Sequence, residues 1–209
     1  MGRNLDPKCK QCRRIGEKLF FKGDRCQSPK CAMVKKNYPP GLHGPKGRKR
    51  QTDYGLQLAE KQKAKKQYGI SEKQFRLTFE KARKQLGNTG ETLLKLLELR
   101  LDNVVYRLGF ASSRSQARQL VNHGHFAVNG KRADIPSFKV KSGDIIKVKA
   151  KSRNSKNLKN LTETLKKYEA PGWLNLDAKE LSGKVLHEPS MKDISVNINV
   201  QMIIEFYSR

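Results

Sequence analysis

Acidic side chains are scarce in this chain. Its 209 residues carry 19 Asp and Glu against 45 Lys and Arg, a net charge of +26. A compact protein with that excess repels itself, so the excess implies a polyanion that neutralises it in use. Nucleic acid and an anionic membrane surface are the two candidates. Long apolar runs are missing as well. No stretch approaches the roughly 20 residues that a membrane span needs, and the opening Met-Gly-Arg-Asn-Leu-Asp-Pro has no apolar signal core. A cytoplasmic location without membrane partners is therefore expected. No Gly-rich phosphate loop ending in Lys-Ser/Thr is found, and the few carboxylates are scattered, which argues against an enzyme. Beyond residue 31 there is no cysteine at all. Structural disulfides are not expected in a cytoplasmic chain.

The four cysteines that are present fall at Cys9-x2-Cys12-x13-Cys26-x4-Cys31. A Cys-x2-Cys pair turns two thiolates onto one ion, and a second pair at this distance completes a tetrahedral set. The intervening loop holds only Ile15, Leu19, Phe20 and Phe21 as apolar residues, too few to fold alone. A metal would supply what a core cannot, since its binding free energy becomes folding free energy. Three readings stand: a closed structural zinc site of one ion, an iron–sulfur cluster, or unligated thiols. A catalytic zinc is disfavoured, because four Cys leave no open position.

Charge is distributed unevenly. Residues 1–50 hold 15 basic and 3 acidic side chains, whereas residues 161–209 are close to neutral. Arg3, Lys8, Lys10, Arg13, Arg14, Lys22, Arg25 and Lys30 interleave with the cysteines, and Lys35 and Lys36 follow. Next comes a segment rich in Pro and Gly that includes His43, Lys46, Arg48, Lys49 and Arg50. Pro and Gly exclude regular structure there. The segment is either a solvated linker or an extended strap along a phosphate backbone. His43 belongs to that strap and is not needed as a metal ligand.

Helical signals dominate residues 51–98. Asp53 is a candidate N-cap, and Ser71-x-x-Gln74 forms a capping box. Phe75, Phe79, Ala82 and Leu86 then recur at helical spacing up to Gly87, so the two Phe are read as core. Arg76, Lys81, Arg83 and Lys84 cover the rest, facing phosphate or water. A single, largely buried helix is expected from Leu93 to Leu108, with Gly109 as its terminator.

Residues 99–160 read as a compact module. Ser113-x-x-Gln116 opens a short helix whose Ala117, Leu120 and Val121 face inward. Arg114 and Arg118, four apart, project from one face. Phe126-Ala127-Val128 and Asn129-Gly130 predict a hairpin whose return strand starts at Lys131-Arg132. Residues 144–149 alternate like a further strand. The candidate RNA contacts here are Arg100, Ser113, Arg114, Ser115, Arg118, Asn129, Lys131 and Arg132. A helix end with free N–H groups suits phosphate, arginine forks match its oxygens, and such a surface reads folded RNA by shape. The competing reading is that the two arginines are simply solvated.

Toward the C-terminus, Leu158, Leu161 and Leu165 give a short helical face, and Pro171-Gly172 breaks it. Trp173, Leu174 and Leu176 suggest a strand, with Trp173 as a packing anchor. Residues 195–206 alternate and predict a half-buried strand. This near-neutral end, with Glu205 and Tyr207, is the expected protein-facing surface. The fold class expected is α+β. It comprises a basic metal-binding arm (1–50), a small helical domain (51–98), an α/β RNA-binding module with a small antiparallel sheet (99–160), and a C-terminal segment (161–209) whose strands pack on both.

Residues 100–130 carry Arg-Leu-Asp, then Ser-Arg-x-x-Ala-Arg-x-Leu-Val, then His-Gly-His-Phe-x-Val-Asn-Gly. That pattern closely resembles the RNA-binding module named after protein four of the small ribosomal subunit. The module also occurs in pseudouridine synthases, some tRNA synthetases and small RNA-binding stress proteins. Three further features are similar to the ribosomal family itself, in its bacterial-type, four-cysteine, zinc-bearing branch. They are the Met-Gly-Arg start with four cysteines, the stretch from Tyr38-Pro-Pro-Gly to His43-Gly, and the ending Val200-Gln-Met-Ile-Ile-Glu-Phe-Tyr-Ser-Arg209. The resemblance implies a structural constituent of the small subunit that binds its rRNA directly, acts early in assembly and influences translational accuracy. It also implies contact with small-subunit protein five and proximity to incoming messenger RNA. No homo-oligomer is expected. A zinc-dependent regulator of nucleic acid is the alternative outside the ribosome.

Overall fold

The structure is a computed structural model that describes residues 6–47, 50–153, 155, 158, 161–166 and 168–209. Arg3, Arg48 and Lys49 lie outside the described residues. The helices in chain order are α1 (Lys8–Ile15), α2 (Asp24–Gln27), α3 (Ala32–Lys35), α4 (Asp53–Gln67), α5 (Glu72–Arg83), α6 (Thr89–Glu98), α7 (Leu101–Arg107) and α8 (Arg114–Asn122). Strands β1 (Phe126–Val128), β2 (Lys131–Ala133) and β3 (Ile145–Val148) follow, then α9 (Ala150–Arg153), α10 (Leu161–Lys166), β4 (Leu174–Asp177), β5 (Ser182–Val185) and α11 (Val200–Ser208). A 3-10 turn spans Gly44–Lys46. The chain forms two compact units, one of residues 1–90 with 196–209 and one of residues 91–195. None of the described helices is long and apolar enough to cross a membrane.

In the first unit, α1 and α3 enclose a small cluster of Cys12, Leu19, Cys31 and Met33. Helix α4 is capped by Thr52, whose hydroxyl accepts the Gly55 N–H at 3.2 Å. The cap is thus one residue earlier than the expected Asp53, which sits in the first turn and favours the helix dipole. Ser71 caps α5 as expected, accepting from Gln74 N. Phe75, Phe79 and Ala82 are buried core residues, but α5 ends at Arg83 and leaves Leu86 fully exposed.

The C-terminal end is a helix, not the expected strand. Alternation from Val196 to Phe206 is interrupted by the consecutive apolar pair Ile203-Ile204, and the same residues also satisfy a helical period through Val200, Ile203 and Tyr207. Asn199 supplies the deciding local signal, accepting from Met202 N at 3.3 Å as an N-cap. The helix buries Ile203 completely. It stacks Tyr207 on Phe79 at 4.6 Å between centroids and on Phe75 at 6.2 Å.

The second unit is built on a five-stranded antiparallel sheet of order β2-β1-β3-β5-β4. Asn129, at φ 50, and Gly130, at φ 78, make the two-residue turn between β1 and β2. One sheet face and α7 and α8 bury Leu108, Phe110, Leu120, Phe126, Ile146 and Trp173 in one core. Trp173 is fully buried, as a packing anchor should be. Gly183 is required by this packing, since a Cβ there would lie 2.4 Å from Leu108.

The expected single helix over 93–108 is two helices. Arg100 adopts extended dihedrals and bridges to Lys139. Leu99 O accepts from Val140 N at 3.0 Å, and Leu101 N donates to Phe138 O at 2.9 Å. Periodicity alone does not reveal this break, because the backbone bonds that compensate it come from residues some 40 positions away.

Candidate nucleic-acid interface

The module's arginines rest on a buried ionic frame. Glu98 is fully buried and accepts from Asn103 Nδ2 at 2.7 Å and from Arg107 at 2.9 and 2.8 Å. Asn103 Oδ1 then accepts from Arg114 Nε at 2.8 Å, and the Arg114 guanidinium stacks over the Tyr106 ring at 4.6 Å. Asp102 accepts from Arg100 Nε and Nη2, at 3.1 and 2.8 Å, and from Arg118 Nη1 at 3.3 Å. Buried charges are tolerable when paired and hydrogen-bonded on every side, and this frame meets that condition.

These bonds change the parts assigned to three predicted contacts. Arg100 is 6% exposed and internal, so it is not presented to a ligand. Arg114 and Arg118 do share one face, but that face turns to α7, and both side chains are half-buried. They organise the surface more than they display charge. Ser113 is also buried, as the N-cap that accepts from Gln116 N at 3.3 Å. The capping box closes through Ser112, whose N–H and hydroxyl both reach Gln116 Oε1. Asn129 spends its amide on Asp144 and Ile145 N, holding the hairpin to β3.

Charge is displayed instead by Lys131 and Arg132 on β2, both exposed. Arg132 lies beside the end of α8, where a Cβ on Gly124 would meet its guanidinium at 3.1 to 3.3 Å. Exposed Lys139, Lys141, Lys147 and Lys184, together with half-buried Lys149, add cations that residue types alone did not single out. The register supplies the missing signal: Ala127 faces Arg132 on one side and Lys147 on the other, so these three share a row. His125 stands next to Lys149; burial, His123 and Lys149 all push its pKa down.

In the basic arm, Lys10, Arg14, Lys22, Arg25, Lys30, Lys35, Lys36, His43, Lys46 and Arg50 are exposed. Lys8 is half-buried over the Phe21 ring. Arg13 is the exception. Its Nε shares a proton between the carbonyls of Lys36 and Tyr38, at 3.1 and 2.9 Å, its Nη2 donates to Pro39 O at 3.2 Å, and its guanidinium stacks on Tyr38. Arg13 therefore clamps the start of the strap. The start of the strap is ordered by that side chain, and a 3-10 turn at Gly44–Lys46 forms where the Pro and Gly content led to no expectation of regular structure.

Cys12, Cys26 and Cys31 are buried and Cys9 half-buried, and none forms a disulfide. Burial pushes the Cys12 thiol pKa up, a backbone hydrogen bond from Leu19 lowers it, and Cys26, Cys9 and Cys31 raise it further. Lys22 N points at Cys26 Sγ at 3.4 Å. Among the described residues, however, no group of three or more His, Cys, Asp or Glu converges closely enough to hold a metal ion.

At the C-terminus Glu205 is exposed and Tyr207 half-buried, and both also bond within their own unit. Glu205 accepts from Gln57 Nε2 at 2.9 Å, and Tyr207 donates to Glu72 at 3.0 Å. Partial burial works to raise the Glu72 pKa, but hydrogen bonds from Lys61, Lys65 and Tyr207 outweigh it and hold it at about 2.

Comparison with known proteins also divides the chain in two, with the boundary after residue 98. The family model described as the ribosomal protein S4/S9 N-terminal domain matches residues 3–98, and the S4 domain matches residues 99–146. The small ribosomal subunit protein uS4 of Syntrophomonas wolfei is 54% identical over 209 residues, covering 100% of both chains. The proteins of the same name from Thermus thermophilus and Clostridioides difficile match at the same identity and coverage. These relatives are ribosomal proteins, not enzymes. By its two domains and by identity over its full length, the chain belongs to the family of small ribosomal subunit protein uS4.

Proposed function

We propose that this protein is a structural constituent of the small ribosomal subunit that binds small-subunit rRNA directly. The observation that carries the reading is the uninterrupted match to uS4 over the whole chain. The physical arrangement agrees with it. Lys131 and Arg132 stand exposed, Arg132 beside Asp134 at 3.3 Å in a solvent-exposed pair, on a module whose Arg100, Arg114 and Arg118 are held by Asp102 and Asn103. A prearranged cationic surface of this kind reads a folded RNA backbone with little ordering cost. The resemblance extends the reading to an early role in assembly and an influence on translational accuracy. It also extends it to contact with small-subunit protein five, to messenger RNA near the point where it enters the subunit, and to a cytoplasmic location.

The protein should co-sediment with small subunits and leave them only at high salt, because many phosphate contacts release many counterions. Protein found mainly free in lysate at low salt would exclude this role. Neutralising Lys131 and Arg132 together should weaken binding to purified rRNA and reduce its salt dependence by about one unit of slope per lost contact.

The cysteines belong to the same reading. Cys9, Cys12, Cys26 and Cys31 are proposed to hold one zinc ion. Four thiolates are a closed structural donor set, three of the four cysteines are buried, and the Lys22 N–H already faces the Cys26 sulfur at 3.4 Å. The ion would clip the basic arm in shape and take no part in chemistry. Metal analysis should give about one zinc per chain, and Cys9→Ser should release it while the Trp173 fluorescence of the other unit is retained. A brown protein carrying iron would replace zinc by a cluster.

A further inference from the structure

The segment His123-Gly124-His125 joins α8 to β1 and passes beside Arg132 of β2, whose guanidinium a Cβ on Gly124 would meet at 3.1 to 3.3 Å. The two imidazoles flanking that glycine lie 6.0 Å apart between ring centroids. Phe126 and Val128 are buried, so strand alternation places His125 with Ala127 on the outer face of the sheet. The ladder reaches His125, because Lys149 N donates to its carbonyl at 3.0 Å. His123 is exposed and His125 half-buried. Among the described residues, neither ring makes a hydrogen bond or an ion pair.

The charged groups around the pair come from several elements. Arg132 lies on β2 with Asp134 just beyond it, Lys149 follows β3, and α9 adds exposed Lys151. Lys147 of β3 stands one row further along, opposite Ala127. The two carboxylates in this set are already engaged, Asp134 by Arg132 at 3.3 Å and Glu180 by Lys147 at 2.9 Å, each in an exposed pair. Burial, and then the charges of His123 and Lys149, hold the His125 pKa below its ordinary 6.5. A phosphate brought close would act against the neighbouring cations, since an opposite charge within about 4–6 Å favours the charged form of a group.

We propose that the imidazoles of His123 and His125 take up protons when the phosphate backbone of folded RNA settles on the surface around Arg132, so that binding tightens as the pH falls. This coupling deepens the reading that the protein binds small-subunit rRNA, and it rests on that reading. The sign follows from linkage: a complex that binds more protons than its separate components gains affinity on acidification. Uptake of half a proton per complex tightens binding about three-fold for each unit the pH falls. The gain belongs to the range below about pH 7, where imidazole titrates, and fades above it.

The test uses the full chain and purified small-subunit rRNA, titrated at fixed ionic strength from about pH 8 down to about pH 5.5. Wild type should bind about three-fold more tightly at the acidic end than one pH unit above it, and hardly change over the most alkaline half unit. His123→Gln/His125→Gln should lose most of that gain. His187→Gln should keep it, since this exposed imidazole stands elsewhere, 2.9 Å from the Glu188 carbonyl. Every protein meets the same RNA, so protonation of the bases is common to all and cancels in the comparison. A flat wild-type profile, or a gain that survives in the double variant, would overturn the proposal while leaving rRNA binding in place. Failure of the wild type to bind rRNA at any pH would remove both. Fluorescence of the buried Trp173 checks at each pH that the unit stays folded. Should the double variant unfold, His123→Gln at its exposed position replaces it and should lose about half of the logarithmic gain; an undiminished gain there counts against the proposal equally.

Discussion

Glu98→Gln should destabilise the module's unit more than any surface change of similar size. Glu98 is fully buried and takes three side-chain hydrogen bonds of 2.7 to 2.9 Å from Asn103 and Arg107. Arg107 is itself only 11% exposed in its side chain. Gln preserves the shape but removes the charge, and its amide group points donors at donors. Removing one partner of a buried ion pair costs about 3–5 kcal/mol, because the other charge stays behind without compensation. That corresponds to roughly two to three and a half powers of ten in the folded-to-unfolded ratio. The protein supplies its own reporter: its one Trp, Trp173, is fully buried in the same unit. Urea unfolding followed by Trp fluorescence at fixed ionic strength measures the change. The double variant with Arg107→Met should be less destabilised than the sum of the singles, since it removes the orphaned charge. A loss below about 1 kcal/mol for Glu98→Gln, or simple additivity in the cycle, would refute the claim that this pair frames the module.

Two further outcomes follow from the first unit. Glu72 has a folded-state pKa of about 2, below its ordinary 4.5, so its contribution is fully present above pH 4.5 and is lost as pH falls toward 2. The melting-temperature gap between wild type and Glu72→Gln should therefore narrow progressively below pH 4.5, and a constant gap would contradict the assignment. Arg13→Lys keeps the charge but loses the planar fork that spans the carbonyls of Lys36, Tyr38 and Pro39. Limited proteolysis should then cut the segment after Lys36 several-fold faster, with the melting of the other unit unchanged.

Much of the local structure was legible because short-range signals decide it. Ser71 and Ser113 cap their helices, Asn129-Gly130 turns the hairpin, and Phe75 and Phe79 share a buried face. The larger misreadings involve partners distant in sequence, whereas the α4 cap at Thr52 rather than Asp53 is a local one. The break at Arg100 depends on backbone bonds from Phe138 and Val140. Helix α11 won over an equally visible alternation because Asn199 caps it and Phe75 and Phe79 receive Tyr207. Lys61 and Lys63, which the sequence did not single out, are buried against carboxylates from other elements.

The excess of cations is a property of composition, and with it the expectation of a polyanionic partner needed no structure. The tertiary structure decided which cations remain available. Arg13, Arg100, Arg114 and Arg118 are drawn onto carbonyls, carboxylates and rings. Lys131 and Arg132 stay exposed. The reason is geometric: a charge is counted the same anywhere in a sequence, but whether it meets solvent or an internal partner depends on which distant residues the fold brings within hydrogen-bonding reach.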